Sequence, residues 1–269
     1  MVAEGRMEGG SGAALVTGGA TRLGKAMALA LAGRGLNVAV HYRESRAEAE
    51  QTVTELEALN VKACALQADF RDEEAVVGLV TDAGQRLECG LNVLVNSAAL
   101  FERDTFQSST RNDWDRHMET NLRAPFLLMQ EFSAKAPPPL MDSNGEATSL
   151  ACVVNLLDHR VLRPTSEFIS YTLSKMAFWS LTQIAAVALA PVVRVNAIGP
   201  GPTLPASRQS QEHFARQRQM APLKRGAGPR EIVSAMNFFL DNPSVSGQLI
   251  CIEGGQNLSW KAPESMRKD

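Results

Sequence analysis

The chain of 269 residues carries 27 Lys and Arg against 29 Asp and Glu, for a formal net charge of −2, and 45% of its residues are apolar. This length and composition suffice to bury one sizeable core, and the near-neutral charge excludes the basic footprint of a nucleic-acid-binding protein. Apolar runs stay below the roughly 18 residues of a membrane span, and the four cysteines form no C-x-x-C pair, so we predict a cytoplasmic protein with free thiols, bound to neither nucleic acid nor membrane.

The first twelve residues are rich in glycine, and we expect a disordered tail at 1–12 followed by a single domain at 13–269. From residue 13 onward, continuous apolar runs alternate with amphipathic stretches, as expected for strands covered on both faces. The sequence therefore predicts an α/β fold, a doubly wound and mainly parallel Rossmann-like sheet with helices on both faces. The seven predicted strands lie at 13–17, 37–42, 61–69, 92–98, 151–158, 193–200 and 248–255.

Two segments interrupt this alternation. Residues 135–147 are rich in proline and polar turn residues, which predicts a loop leading into the fifth strand. Residues 203–230 are polar and rich in glutamine and arginine, with short helical signals only. Because a doubly wound fold places its substrate lid after the carboxyl end of a strand, we expect residues 203–230 to form a substrate loop.

The first predicted strand runs into a glycine-rich turn, T-G-G-A-T-R-L-G at residues 17–24. Glycines permit a tight turn, and the N-terminus of the following helix offers unpaired N–H groups to a pyrophosphate. The spacing is T-G-x-x-x-G-x-G, with Arg22 in the place of the middle glycine. We interpret the turn as a dinucleotide site in which the Arg22 guanidinium contacts a phosphate.

The second predicted strand ends in H-Y-R-E-S, residues 41–45. A site that prefers NAD carries an acidic residue here, which binds the ribose 2′-hydroxyl. In this chain Arg43 and Ser45 offer a cation and a hydroxyl to a 2′-phosphate, so the sequence predicts NADPH as the cofactor. Glu44 leaves an alternative open, because an outward swing of Arg43 would make the carboxylate the nearest group.

Further short motifs stand near the ends of the later predicted strands. They are N-S-A-A at 96–99, Y-T-L-S-K at 171–175, and a Pro-Gly pair at 200–201. With the glycine-rich turn, these motifs resemble those of the short-chain dehydrogenase/reductase family, and the resemblance covers nearly the whole chain. Ser97 and Ala99 depart from the N-N-A-G of that family.

The resemblance implies roles for individual residues in an NADP-binding catalytic domain. Asp69 is expected to bind the adenine, and Asn121 to hold a water that links the catalytic lysine to solvent. The resemblance also implies a homotetramer, with the C-terminal strand near an interface. The residues expected to line the cofactor are Gly18, Arg22, Leu23, Gly24, His41, Tyr42, Arg43, Ser45, Asp69, Phe70, Asn96, Ser97, Ala98, Lys175, Pro200 and Gly201.

Tyr171 and Lys175 form the Y-x-x-x-K pair and share one face of a helix because they are four residues apart. A phenol has a pKa of about 10, too high for ready proton exchange at neutral pH, and a neighbouring ammonium group favours the phenolate. We therefore predict that Tyr171 is a general acid whose pKa is lowered by Lys175, and that Lys175 also binds the nicotinamide ribose.

Asp158 stands thirteen positions before Tyr171, where most of the family has a serine. A carboxylate opposes the negative charge that develops on oxygen during ketone reduction, but it can accept an N–H bond from a heterocycle and relay a proton. With Arg22 and H-Y-R-E-S, this substitution resembles the pteridine reductases and the bacterial dihydromonapterin reductases. In those enzymes an aromatic residue at the position of Phe101 stacks the pterin against the nicotinamide.

That resemblance implies NADPH-dependent reduction of a 7,8-dihydropterin to the tetrahydropterin, with hydride going to C6 and a proton to N5. Asp158, Tyr171 and Phe101 are the residues expected to contact this small-molecule substrate.

Two other functions stay open. A short-chain ketone reductase, such as a 3-ketoacyl-carrier-protein reductase, would explain the cofactor motifs and could use Arg208, Arg216 and Arg218 as a patch for an acyl carrier. A non-catalytic NADP-sensing protein is disfavoured because both members of the Tyr/Lys pair are present. No metal is predicted, since the spacings of the histidines fit no metal site.

Overall fold

The computed structural model describes residues 12–205 and 209–258, and nine strands lie within them. They are β1 (Ala13–Thr17), β2 (Asn37–Tyr42), β3 (Ala63–Gln67), β4 (Leu91–Asn96), β5 (Leu140–Met141), β6 (Ala147–Thr148), β7 (Ala151–Leu156), β8 (Val193–Pro200) and β9 (Leu249–Ile252). Seven strands form a parallel sheet in the order β3-β2-β1-β4-β7-β8-β9. Apart from Gly12, the predicted tail lies outside the described residues, as do residues 259–269 of the predicted domain.

Helices cover both faces of the sheet. They are α1 (Arg22–Ala32), α2 (Arg46–Glu57), α3 (Glu73–Val76), α4 (Leu79–Leu87), α5 (Arg111–Met118), α6 (Ala124–Lys135), α7 (Ile169–Ala188), α8 (Gln211–Met220) and α9 (Pro229–Asp241). One core cluster joins α4, α6 and α7 to one face and includes the fully buried Leu128 and Phe178. The other joins α1, α2 and α9 to the opposite face through Met27 and Phe239.

Burial explains why continuous apolar runs form the central strands. Every residue of β1 and β7 is buried, because helices exclude water from both faces. The predicted α/β fold with a doubly wound parallel sheet is therefore confirmed.

The strand order places a crevice at the carboxyl ends of β1, β4 and β7. From β1 the chain proceeds outward to β2 and β3, and then crosses back to β4 on the other side of β1. Thr17, Asn96 and Asn155 pair in register across the three strands, so the strands end at the same edge. This reversal of strand order is the point at which open α/β sheets bind ligands.

Two segments differ from their predictions. The predicted loop at 135–147 contains β5 and the first residue of β6, and these two strands pair as a short antiparallel hairpin. The predicted substrate loop at 203–230 contains the ten-residue helix α8, whose first turn is capped because the Ser210 hydroxyl accepts a bond from the His213 amide. Within the part of the chain that the structure describes, no helix combines the length and the apolar character needed to cross a membrane.

Candidate active site

A cleft of about 2270 Å³ opens at the carboxyl ends of the parallel strands. It runs from the glycine-rich turn after β1 to the segment that follows β8. Sixteen of the predicted site residues line it together: Gly18, Arg22, Leu23, Gly24, His41, Arg43, Asp69, Phe70, Ser97, Ala98, Phe101, Asp158, Tyr171, Lys175, Pro200 and Gly201.

The glycine-rich turn is compact in the way a pyrophosphate site requires. Gly18 has a φ of 61°, and a Cβ at this position would lie 3.0 Å from the Cα of Ala98. A Cβ at Gly24 would collide with the carbonyl oxygen of Gly18. Thr21, the residue before α1, makes no side-chain bond to the helix, and the first turn holds no acidic residue. The N–H groups at this helix start therefore remain available to an anion.

Arg22 spans the cleft. It occupies the middle glycine position with a φ of 54°, a left-handed conformation that favours glycine. Its guanidinium donates to the carbonyl oxygens of Pro205 at 2.9 Å and Leu204 at 3.3 Å, in the segment after β8. In this structure Arg22 joins the phosphate turn to the predicted substrate loop, and its contact with a phosphate stays a prediction.

His41 supports the turn from below. Its Nδ1 accepts a bond from the Gly18 amide at 3.2 Å, its Nε2 bonds the Ala68 carbonyl at 3.0 Å, and its ring stacks on Phe70 at 4.2 Å. Burial lowers the pKa of His41 to about 4. At neutral pH the imidazole is therefore uncharged with both nitrogens engaged, so it holds the cofactor turn in shape rather than supplying a cation to a phosphate.

We expect His41 to make the protein less stable in acid. Because burial lowers its pKa from 6.5 to about 4, the unfolded chain binds a proton in this window that the folded protein does not, and stability falls as pH falls. The difference corresponds to about 3 kcal/mol of unfolding free energy. In urea unfolding, His41→Gln should be less stable than wild type near neutral pH. The difference in unfolding free energy between the two proteins should become smaller toward about pH 4.5. His213→Gln, at a partly exposed position, is the control. A difference in unfolding free energy between wild type and His41→Gln that stays constant with pH would contradict the prediction.

The predicted adenosine contacts lie beyond β2 and β3. Arg43 is 44% exposed and its Nη2 lies 3.0 Å from the Oε1 of Glu44, so the cation and the alternative carboxylate sit side by side. Asp69 accepts bonds from the Arg71 guanidinium, the largest of the effects that lower its pKa to about 2. Arg71 was not predicted, although its position two residues after Asp69 was a visible signal.

Three of the predicted cofactor residues stay away from the cleft lining. The side chain of Tyr42 is buried under the turn, packed with Ala20 and Ala49. Ser45 precedes α2 and makes no capping bond. Asn96 is buried within the sheet, where its Nδ2 donates to the Oδ1 of the neighbouring strand's Asn155 at 2.9 Å. Tyr42 and Asn96 are thus engaged by other groups of the protein, and the contacts of all three residues with the cofactor stay predictions.

Asn121 lies behind the cleft, in a π-helical turn at Glu119–Arg123 between α5 and α6. Its Oδ1 accepts from the Leu100 amide at 2.8 Å, and its Nδ2 donates to the Leu100 carbonyl and to the Ser174 hydroxyl, both at 3.0 Å. Asn121 therefore fastens the segment before Phe101 to the helix that carries Tyr171, and its predicted water contact is untested.

Helix α7 brings Tyr171 to the end of β7. The helix starts after Phe168, whose φ of 58° turns the chain sharply. Asp104 caps this start, since its carboxylate accepts the Ser170 amide at 3.1 Å and the Ser170 hydroxyl at 2.6 Å. The hydroxyl of Tyr171 then donates to the Oδ2 of Asp158 at 3.1 Å. The predicted tyrosine and aspartate are thus in direct contact.

Burial sets the charge states of this pair. Burial, followed by the charge of Asp158, raises the pKa of Tyr171 well above 10. Burial also opposes ionisation of Asp158, but the neighbouring groups, led by the charge of Arg160, leave the pKa of Asp158 lowered. At neutral pH a neutral phenol therefore donates to an ionised carboxylate.

The prediction that Lys175 lowers the pKa of Tyr171 is wrong for this arrangement. The Nζ of Lys175 donates to the Leu156 carbonyl at 2.7 Å, and burial lowers the pKa of the lysine to about 8. The phenol instead responds to its burial and to the carboxylate that it contacts.

Besides Arg71, sequence reasoning missed two residues near Tyr171, which are Arg160 and Phe168. Phe101 stacks face to face on Phe168, with ring centroids 4.5 Å apart, and presents an edge to Tyr171 at 4.7 Å. The Arg160 guanidinium lies over both phenylalanine rings, at 5.5 Å and 5.3 Å. Its place two residues after Asp158 was a signal, whereas the Phe168 stack depends on a backbone turn that no motif encodes.

Similarity to known proteins extends over nearly the whole chain. A family model described as Enoyl-(Acyl carrier protein) reductase matches residues 18–257. The chain is 31% identical to the uncharacterized oxidoreductase YgfF of Escherichia coli, covering 90% of this chain and 99% of that protein. It is 29% identical to the 3-oxoacyl-[acyl-carrier-protein] reductase FabG of Staphylococcus aureus, covering 90% and 96%.

A solved structure is more similar in sequence. The crystal structure of FolM alternative dihydrofolate reductase 1 from Brucella canis, complexed with NADP, superposes with a TM-score of 0.87 at 39% identity. The match covers 97% of this chain and 99% of that one.

Proposed function

The chain belongs to the short-chain dehydrogenase/reductase family, and from that premise we propose that it reduces a 7,8-dihydropterin to the tetrahydropterin with NADPH. The observation that carries the proposal is the hydrogen bond from the Tyr171 hydroxyl to the ionised Asp158, beside the exposed ring of Phe101. A carboxylate at this point suits a substrate that donates N–H bonds, and it opposes one that develops an oxyanion.

The NADPH part of the proposal is supported by the fit of the first turn. The compact glycine turn and the uncapped start of α1 provide the pyrophosphate site, and Arg43 provides a cation for the 2′-phosphate. The similar FolM structure from Brucella canis contains NADP. Bound NADPH would supply the hydride of the reaction.

Residues of the chain itself donate the proton and bind the substrate. Reduction of a C=N bond needs one proton at nitrogen, and the neutral Tyr171 hydroxyl holds a proton that it can donate to N5. Asp158 accepts N–H bonds of the heterocycle and orients it. Lys175, buried one helical turn from Tyr171, binds the nicotinamide ribose.

Ketone reduction is the second candidate, favoured by the similarity to the acyl-carrier-protein reductase of Staphylococcus aureus. The proposed patch for an acyl carrier gains little support from Arg218, because its guanidinium donates to the backbone carbonyls of Pro202, Gly226 and Ala227. Arg208, another member of that patch, lies outside the described residues.

A substrate panel tests the proposal. Oxidation of NADPH is followed with 7,8-dihydrobiopterin, dihydrofolate and an acetoacetyl thioester as separate substrates. We expect kcat/KM for the dihydropterin to exceed that for the thioester by about 100-fold, roughly the value of one well-placed charged hydrogen bond. Faster turnover of the thioester would instead assign the protein as a ketone reductase, and NADPH binding without turnover of any of these would support the sensing function.

Cofactor choice gives a separate prediction. We expect Arg43→Ala to weaken NADPH binding by about tenfold to 100-fold while NADH binding changes little, because only NADPH carries the 2′-phosphate. Dissociation constants from the quenching of protein fluorescence provide the measurement. Arg46→Ala is the matched control, since Arg46 is an exposed arginine of α2 that pairs with Glu50. Unchanged NADPH binding by Arg43→Ala would contradict a contact between Arg43 and the 2′-phosphate, and would favour the alternative in which Glu44 is nearest the ribose and NADH is the cofactor.

Assembly as a homotetramer is part of the proposal. Large apolar side chains remain exposed on α6, α7 and α9, as expected of faces that pack against other copies: Phe126, Leu173, Ile184, Val187 and Phe238.

A further inference from the structure

We propose that Arg160 is a specificity-determining residue of this site, which keeps Asp158 an acceptor of substrate N–H groups and thereby selects nitrogen heterocycles over ketones. The inference rests on the proposed function and deepens it, because it names the group that makes the carboxylate suit one substrate class. Arg160 acts through Asp158 and is a positioning residue.

The geometry ties Arg160 to Asp158 twice. The 3-10 turn at His159–Val161 starts at Asp158, whose Oδ1 accepts the Arg160 backbone amide at 2.8 Å. The same residue's Nη1 donates to Oδ2 at 2.9 Å. Oδ2 is also the atom that accepts the Tyr171 hydroxyl. One carboxylate oxygen thus connects the guanidinium to the proposed proton donor.

The aromatic pair fixes the guanidinium in place. Phe101 and Phe168 stack almost parallel, with 6° between their planes, and Arg160 lies over both rings. The Arg160 side chain is 16% exposed, so its charge is poorly screened by water and acts strongly on its neighbour. Its buried Nε has no partner among the described residues and remains a donor for an acceptor atom of a bound ring.

Among the described residues, the charged and titratable groups that face Asp158 come from three elements. His159 and Arg160 belong to its own turn, Tyr171 and Lys175 to α7, and Cys251 to β9. Arg160 is the largest influence that favours the ionised carboxylate, while burial opposes it. Without the Arg160 side chain this influence is lost, so we expect the pKa of Asp158 to rise.

The two protonation states favour different substrates. An ionised Asp158 accepts N–H bonds and repels a developing oxyanion. A protonated Asp158 presents an O–H donor, which stabilises an oxyanion and leaves an N–H donor of the substrate with a weaker acceptor. Removal of Arg160 should therefore shift the enzyme from dihydropterins toward ketones.

The test compares Arg160→Gln and Arg160→Lys with wild type, with Arg163→Gln as a control for charge on the same segment. Arg163 bonds the Gln256 carbonyl and has no contact with Asp158 in the described structure. For each protein, kcat/KM is measured from about pH 5 to about pH 9 with 7,8-dihydrobiopterin and with an acetoacetyl thioester. NADPH binding is measured in parallel as the readout of a folded cofactor site.

For Arg160→Gln we expect the dihydropterin kcat/KM to fall about 30-fold near neutral pH and the ketone-to-pterin ratio to rise at least about tenfold. The acid limb of the pterin profile should move to higher pH, because activity is lost as pH falls through the pKa of Asp158. Arg160→Lys keeps the charge and should restore the acid limb, and Arg163→Gln should match wild type.

Each outcome separates the two claims. A wild-type enzyme that prefers the thioester would overturn the proposed function. The change in the ketone-to-pterin ratio between wild type and Arg160→Gln could still be measured. An unchanged ratio and pH profile in Arg160→Gln would overturn the role of Arg160 and leave the proposed function intact. If Arg160→Gln does not bind NADPH, the Arg160→Lys variant provides the test. A ketone-to-pterin ratio and an acid limb of the pterin pH profile close to those of wild type would support a role for the charge. An acid limb at higher pH than in wild type would contradict that role.

Discussion

We expect the Tyr171→Phe variant to reduce dihydropterin about a thousandfold more slowly than wild type, the middle of the range for loss of a general acid. The substitution removes one oxygen atom and leaves the ring against Phe101. The substitution therefore removes the hydrogen bond to Asp158 and the proton that is donated to N5. NADPH binding should change less than about threefold, because this phenol is proposed to act on the substrate rather than on the cofactor.

Tyr42→Phe is the matched control, because the chain contains only two tyrosines and the structure places Tyr42 away from the cleft lining. The same variant isolates the titration of Tyr171, which can be followed by ultraviolet absorbance of the phenolate. Since burial and Asp158 raise the pKa of Tyr171, its phenolate should form only above about pH 10. A phenolate present at neutral pH, or full turnover by Tyr171→Phe, would rule out Tyr171 as the proton donor.

The fold was predictable where burial alone decides structure. The run at 13–17 becomes β1 with the predicted bounds because both faces are covered and a glycine turn ends it. The run at 248–255 was predicted too long, since Gly254 and Gly255 adopt positive φ and leave only Leu249–Ile252 in the sheet. Helix α8 has no buried residue and therefore no apolar stripe to reveal it; its support comes from the Ser210 cap and from tertiary bonds made by Arg218.

The site was predictable where a motif coincides with a strand end. Asp158 ends the segment after β7 and Tyr171 lies on the next long helix, so parallel topology brings them together. The Arg160 and Phe168 contacts could not be predicted, because they depend on a 3-10 turn and on a left-handed residue. The direction of the Tyr171 pKa shift was also missed, since it follows from burial and from a contact at 3.1 Å that sequence spacing does not reveal.

The second large effect is expected at Asp158. Asp158→Ser should lower the dihydropterin kcat/KM by about 100-fold, because the substrate loses a charged acceptor and meets a hydroxyl in its place. The same change restores the residue type that most of the family carries at this position. Turnover of the acetoacetyl thioester should therefore rise or stay constant, since a hydroxyl can donate to a developing oxyanion and brings no negative charge.

Asp158→Asn distinguishes charge from shape, because it keeps the size of the side chain and one acceptor oxygen. If the charge of Asp158 selects the substrate, Asn should lose nearly as much pterin activity as Ser, and adding Arg160→Gln to Asp158→Asn should have little further effect. Tyr171 should titrate at lower pH in both Asp158 variants, because the carboxylate that raises its pKa is gone. An Asp158→Ser enzyme with an unchanged preference for dihydropterin would show that the carboxylate takes no part in choosing the substrate, and the serine found in most of the family would then serve equally well.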